Sequence, residues 1–251
     1  MRKHALLFAA LVAATSTAVL AGSGATWSYL GDTGPEHWGG LSPDWAICSE
    51  GRYQSPIDIS GGIGANLEPV AADIQATPLD FGLDGPTFAV EYKSGSWLTV
   101  NGMRYELQQF HFHHPSEHTL NGEHFPMEAH LVLKGEGAAH ANAVLGVFIK
   151  AGAENAMLDQ FFGVLPRAAK KSTDGVMVNV GDLLPERKDY YLYEGSMTTP
   201  GCPQSVRWFV MEEPVEASQA QIDTFIGDLT EGDSNNRPIQ PRYGRMIIKG
   251  H

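Results

Sequence analysis

The chain has 251 residues, 43% of them hydrophobic, and a formal net charge of -12. That length and apolar share suffice for one sheet-rich domain with a buried core, and so acidic a surface excludes nucleic acid as a natural partner, because phosphate binding needs a basic patch. The same charge argues against docking on anionic lipid.

At the start of the chain, Arg2, Lys3 and His4 form a positive head and Ala5 to Leu20 is an almost unbroken run of apolar and small residues. With a cleavage region at Val19-Leu20-Ala21, residues 1–21 read as a secretory signal peptide and residues 22–251 as a single mature domain. A retained membrane anchor is the alternative, opposed by the shortness of the run and by the lack of a second apolar stretch near ~20 residues. No Cys follows the run to carry a lipid. The expected destination is the periplasm, with the extracellular medium as the other outcome of export.

Next come Trp27, Tyr29, Trp38 and Trp45, which are expected to pack across the domain or rim its cleft. Cys48 and Cys202 are the two cysteines. Export favours a disulfide between them, which on the chain-entropy account contributes on the order of 5 kcal/mol because the closed loop is so long. Two independent free thiols are the alternative, and neither cysteine has metal-site spacing.

Short alternating runs punctuated by Gly and Pro predict strands over 87–92, 96–100, 103–113, 127–133 and 143–149, with turns at Asn101-Gly102 and Asn121-Gly122. Inside the third run lies Gln109-Phe110-His111-Phe112-His113. On a strand, His111 and His113 point to one face and the two phenylalanines to the other. His130, in Glu128-Ala129-His130-Leu131-Val132, supplies a third imidazole from another strand, and the turn signals between them allow an antiparallel return. Three nitrogen ligands favour zinc with water in the fourth place.

By the same parity Gln109 and Glu128 share the metal face, where each can hold a histidine ring in one tautomer. The bland alternative is a polar face turned to solvent. His114 has the wrong parity for a ligand, His118 is read as buried and hydrogen-bonded, and His124 as exposed. Residues 153–162 and 218–227 predict short helices, and the turn-rich tail 231–242 is expected to wrap the surface as irregular chain.

At these residues the sequence resembles the α-class carbonic anhydrases, specifically their exported bacterial members. The resemblance is carried by the two histidine motifs and by Pro115-Ser116-Glu117-His118-Thr119. Gln54-Ser55-Pro56-Ile57-Asp58, Gly195-Ser196-Met197-Thr198-Thr199-Pro200 and Asn236-Arg237-Pro238-Ile239-Gln240-Pro241 extend it through nearly all of the mature chain. It implies a mainly β fold, a central ten-stranded, mostly antiparallel twisted sheet with short peripheral helices. It also implies zinc-dependent, reversible hydration of carbon dioxide to bicarbonate and a proton through zinc-bound hydroxide.

The resemblance assigns His111, His113 and His130 to zinc, Gln109 to orienting His111 and Glu128 to orienting His130. Thr198 becomes a gatekeeper that donates its proton to Glu117, with Thr199 beside the substrate and Tyr29 ordering site water. Val132, Val144, Met197 and Trp208 form the carbon dioxide pocket, Met197 standing where Leu is common. The resemblance also pairs Cys48 with Cys202, and relatives that form dimers make a homodimer an expectation.

One departure bears on rate. The position of the proton-shuttling His aligns with Ser96, and none of the ten histidines lies between His37 and His111. Serine cannot relay protons with a pKa near neutrality. Two rivals remain: a hydrolase using the same centre on small activated esters, and a silent binding module that kept the fold.

Overall fold

A computed structural model describes residues 25–84, 87–137, 142–162, 175–230 and 233–250; the leader expected over residues 1–21 lies outside them. Three long strands form the middle of the molecule. Met103–His113, Met127–Gly135 and Asn142–Ala151 run to 11, 9 and 10 residues, and each pairs antiparallel with the next. Their apolar residues lie on both faces, because both faces are covered.

On one face Phe110, Phe112, Ala129, Leu131 and Leu133 pack with Met157, Phe161, Phe162 and Phe225 in the larger core. Those partners come from the helices Ala156–Phe162 and Gln219–Leu229, both close to the expected ranges. The second helix starts at Ser218 with a capping box completed by Gln221, which satisfies two of its free amide ends. On the other face Val144, Phe148, Tyr193, Val206 and Trp208 make a smaller core, and this face carries the histidines.

From edge to edge the sheet runs Ile63–Ala65, Ile248–Gly250, Tyr190–Ser196, Gln204–Met211, Asn142–Ala151, Met127–Gly135, Met103–His113, Thr87–Glu91 and Phe81–Asp84. Ala71–Asp73, Trp97–Val100 and Val215–Ala217 attach at its sides, for twelve strands where the resemblance implied ten. Pairing is mostly antiparallel, the exceptions being Asn142–Ala151 with Gln204–Met211 and with Val215–Ala217, and Ile248–Gly250 with Ile63–Ala65. Asn101-Gly102 and Asn121-Gly122 both have positive φ at both residues, the geometry that the tightest hairpin turns require.

The N-terminal aromatic segment packs as expected. Trp38 is fully buried beside Tyr29 and the Cys48–Cys202 disulfide, with Trp27 and Trp45 against them. Residues 233–242 of the tail are irregular and mostly at the surface, as expected, but Asn235 and Arg237 turn inward and are buried. Arg237 is 1% exposed, and its guanidinium donates to Gln54 Oε1, the Ser55 carbonyl and the Cys48 carbonyl at 2.8, 2.8 and 2.7 Å. Buried carbonyls need donors, and turn-rich composition does not reveal that a distant arginine supplies them. Among the described residues no helix is long and apolar enough to cross a membrane.

Candidate metal centre

Register builds the site in rows. His111 lies directly opposite His130 across one strand pair, and His113 lies opposite Glu128. Side chains alternate with a period of two, so all four share a face. His111, His113 and His130 are buried, and their ligand atoms fall within 4.8 Å of one another.

Each ring is held from outside through one nitrogen. His111 Nδ1 meets Gln109 Oε1 at 2.8 Å, His113 Nδ1 the Asn235 carbonyl at 2.7 Å, and His130 Nε2 Glu128 Oε1 at 2.9 Å. Those acceptors take the ring protons, leaving His111 Nε2, His113 Nε2 and His130 Nδ1 as lone-pair donors. His113 Nε2 is buried with no hydrogen-bond partner, and so is Glu117 Oε2, 3.7 Å from it and 3.8 Å from His130 Nδ1. An orphaned acceptor in the core is costly, and three neutral imidazole nitrogens suit zinc, so the donor set fits this cation. His118, Glu128 and His130 also crowd together, but their atoms are already joined to one another by hydrogen bonds.

Glu128 reaches His130 across a gap kept open by Gly146, where a Cβ would lie 2.8 Å from Glu128 Oε1. Burial works to raise the Glu128 carboxyl, yet the adjacent His118 and His130 outweigh it and hold the group well below the ordinary carboxylate value. Burial, with His113 and His130 nearby, holds His111 well below the ordinary histidine value. Burial pushes His113 down as well, against the pull of Glu117.

These shifts give the metal-free protein an acid-sensitive stability. Below the ordinary histidine value of 6.5, the unfolded chain binds protons that folded His111 and His113 refuse. Their contribution is therefore complete above about pH 6.5 and falls on acidification by up to about 1.4 kcal/mol per pH unit for each histidine. Glu128 acts in the same sense at lower pH: its contribution is complete above the ordinary carboxylate value and is lost as pH falls towards its folded value. Denaturation of chelator-treated protein between about pH 8 and about pH 5 measures the slope; a flat profile would show that the rings are not held neutral by the fold.

The next row holds Gln109, Val132, Val144 and Trp208, opposite one another across three strand pairs. Val132, Val144 and Trp208, with Met197, Thr198 and Thr199, line a cleft against His111 and His130. Its volume open to water-sized molecules is about 10 Å³, room for about one water. All four expected pocket residues are therefore brought together beside the histidines. Tyr29 is buried, with its hydroxyl 3.1 Å from Thr87 Oγ1 and its ring edge-on to His113. His118 is fully buried, His124 is exposed, and His114 Nδ1 donates to the Pro126 carbonyl, 2.8 Å away.

At two positions the geometry differs from the expected contacts. Glu117 Oε1 accepts from the Arg237 amide at 2.7 Å, but Glu117 Oε2 has no partner, so the expected donation from Thr198 is not made in this structure. That oxygen is turned towards the histidine nitrogens instead. Ser96, the expected shuttle position, is 2% exposed, and its hydroxyl accepts from the Gln75 amide at 3.0 Å. Its carbonyl takes the Leu107 amide, which places it along the opposite end of the histidine strand. The strand that flanks His111 is Thr87–Glu91, with Ala89 opposite the ring. Local similarity around Ser94-Gly95-Ser96 could not show which neighbour pairs where.

Sequence reasoning gave no role to Asn235, Arg237, Ser55 or Tyr193. Asn235 orients His113 through a carbonyl, which any residue type carries, so no side-chain signal could have found it. Arg237, Ser55 and Ser196 lay inside motifs used for the resemblance, but their contacts join segments more than a hundred residues apart.

Residues 33–251 match the family of eukaryotic-type carbonic anhydrases. The carbonic anhydrase of Nostoc sp. is 38% identical over 230 residues, covering 89% of this chain and 85% of that protein. That of Neisseria gonorrhoeae is 38% identical over 241 residues, covering 95% and 94%. Among solved structures, the α-carbonic anhydrase of Thermovibrio ammonificans, in complex with the inhibitor sulfanilamide, superposes with a TM-score of 0.83 at 42% identity, covering 90% of this chain and 99% of that one.

Proposed function

The chain belongs to the α-class carbonic anhydrases, enzymes of carbon dioxide hydration, and from that premise we propose that it works with zinc held by His111, His113 and His130. The observation that carries the zinc reading is the buried trio whose outer nitrogens are all engaged, leaving three inner nitrogens to converge. Zinc, when bound, acts as a Lewis acid that brings the pKa of its water towards neutrality, as is established for carbonic anhydrases as a class. Neutral ligands leave the cation its full charge for that purpose.

The protein's own residues bind and orient. Gln109, Asn235 and Glu128 fix the ring tautomers. Val132, Val144, Met197 and Trp208 present an apolar wall for an uncharged triatomic substrate, and the narrow cleft limits competing water. We assign Thr198 to donate its hydroxyl proton to Glu117 Oε2, an acceptor that has no other hydrogen-bond partner in this structure, which leaves the Thr198 oxygen lone pairs free to accept from the reacting water. The Thr198 amide and Thr199 face the product bicarbonate. The cleft offers no acid for a leaving group, so hydrolysis of small activated esters is at most a weak side reaction. Residues 1–21 act as a cleaved leader to the periplasm, where the Cys48–Cys202 disulfide is stable.

Proton removal lacks a histidine between His37 and His111 and so falls to water chains, buffer or another surface group. Hydration by zinc-quantified protein should scale with zinc content, and turnover at saturating carbon dioxide should rise severalfold with buffer concentration. Parallel assays with an activated ester should show the slower reaction. Full hydration activity in metal-free protein, or a dominant ester reaction at comparable substrate levels, would overturn the reading.

A further inference from the structure

Beyond Glu128 the structure continues a line of hydrogen bonds that gripping a metal does not by itself require. The Ser196 amide donates to Ser55 Oγ at 3.1 Å. Ser55 Oγ meets the Tyr193 hydroxyl at 2.8 Å, and that hydroxyl meets His118 Nε2 at 2.6 Å. His118 Nδ1 meets Glu128 Oε1 at 2.8 Å, the oxygen that also takes His130 Nε2. Ser55, Tyr193, His118, Glu128 and Ser196 are each at most 2% exposed, so water cannot replace a missing member.

The line has one direction. An ionised carboxylate only accepts, so the protons of His118 Nδ1 and His130 Nε2 both point at Glu128. Burial raises Tyr193 well above the ordinary tyrosine value, so it keeps its proton and donates it to His118 Nε2. The Tyr193 oxygen then accepts from Ser55, and Ser55 accepts from the Ser196 amide.

At its far end the line grips the turn that carries Thr198. Ser55 and Ser196 are joined twice, because the Ser55 amide also donates to Ser196 Oγ at 2.9 Å. Trp208 Nε1 donates to the Ser196 carbonyl at 2.9 Å, and the Trp208 ring lies 4.6 Å from that of His118 and 4.9 Å from that of His130. The path is kept clear at Gly195, where a Cβ would fall 2.1 Å from Ser55 Oγ.

We propose that Tyr193 and Ser55 are positioning residues that tie the tautomer of His130 to the placement of the 196–199 turn, so that metal retention and the alignment of Thr198 depend on each other. The inference rests on the zinc reading of His130. Removing the Tyr193 hydroxyl strands two buried groups, His118 Nε2 and the Ser55 hydroxyl, and unmet buried polar groups drive rearrangement. Any turn of His118 that relieves the loss withdraws a proton from Glu128 and loosens His130.

The test uses the full zinc-loaded protein and the variants Tyr193→Phe and Ser55→Ala. Tyr190→Phe is the control: Tyr190 is buried in the same strand, but its hydroxyl donates to the Glu68 carbonyl at 3.2 Å, away from this line. Zinc release into excess chelator, kcat and KM for hydration at full zinc occupancy, and thermal midpoint are measured on each. Tyr193→Phe is expected to release zinc about tenfold faster, the low end of the effect of disturbing groups behind a metal ligand. Ser55→Ala should shift release the same way, and both should lower kcat with KM little changed. Tyr190→Phe should change the midpoint alone. Zinc release in both line variants within twofold of native, whatever their midpoints, would overturn the inference. Native protein that retains no stoichiometric zinc would overturn the zinc reading and the inference together, a result distinct from equal release rates.

Discussion

Replacing His113 with Ala is expected to abolish stable zinc binding and to lower carbon dioxide hydration by at least about a thousandfold, equivalent to roughly 4 kcal/mol of transition-state stabilisation. The position leaves no substitute ligand. His113 is fully buried between His111 and His130, with ring centroids 4.9 and 4.5 Å away. Its Nδ1 is taken by the Asn235 carbonyl, and its Nε2 is buried with no hydrogen-bond partner. Alanine removes one of three neutral donors and also strands that carbonyl, at a stability cost of about 1 to 3 kcal/mol. Zinc content by elemental analysis, hydration by stopped flow and far-UV circular dichroism together separate loss of metal from loss of fold. A folded variant with native zinc content and native turnover would sink the assignment.

Opening the Cys48–Cys202 bridge has the second largest expected effect, this time on stability. The bridge spans a sequence separation of 154 residues, and closing so long a loop restricts the unfolded chain by about 5 kcal/mol on the entropy account. For a domain of this size that corresponds to a fall in thermal midpoint of roughly 10 to 20 °C. The consequence reaches the site, because the Cys202 amide donates to the Thr199 carbonyl at 2.8 Å. The Cys202 carbonyl accepts from Gln54 Nε2, and the Cys48 carbonyl from Arg237, whose own amide holds Glu117. Denaturant titration of native protein with and without reductant, and of a Cys48→Ala/Cys202→Ala variant, measures the difference. A midpoint unmoved by either treatment would show that packing around Trp38 suffices without the bridge.

Those two predictions draw on different amounts of sequence information. The histidine trio was legible because it depends on strand parity: His111, His113 and Gln109 must share a face once 103–113 is extended, and Glu128 must share one with His130. The opposition of His111 and His130 then follows from a turn between two alternating strands. Val132, Val144, Met197 and Trp208 were legible only through the family resemblance, since nothing local says that three strands bring three of them into one row. Ser96 shows the limit. Its neighbourhood resembled the expected segment, but the strand beside His111 proved to be Thr87–Glu91, and Ser96 is bound to the backbone elsewhere.

By itself, the sequence determined the sheet-rich class, the principal strands and two short helices, the three histidines with Gln109 and Glu128, and the family. These rest on short-range periodicity and on motifs that need no knowledge of distant neighbours. Only the tertiary structure decided that Asn235 and Arg237 of the tail turn inward to orient His113 and hold Glu117, and that Glu128 serves His118 as well as His130. It alone decided that Ser55 and Tyr193 link the metal face to the Thr198 turn. The physical reason is the same for each: a buried donor or acceptor must find a partner, and that partner is chosen by packing among segments far apart in the chain, where no local pattern can record it.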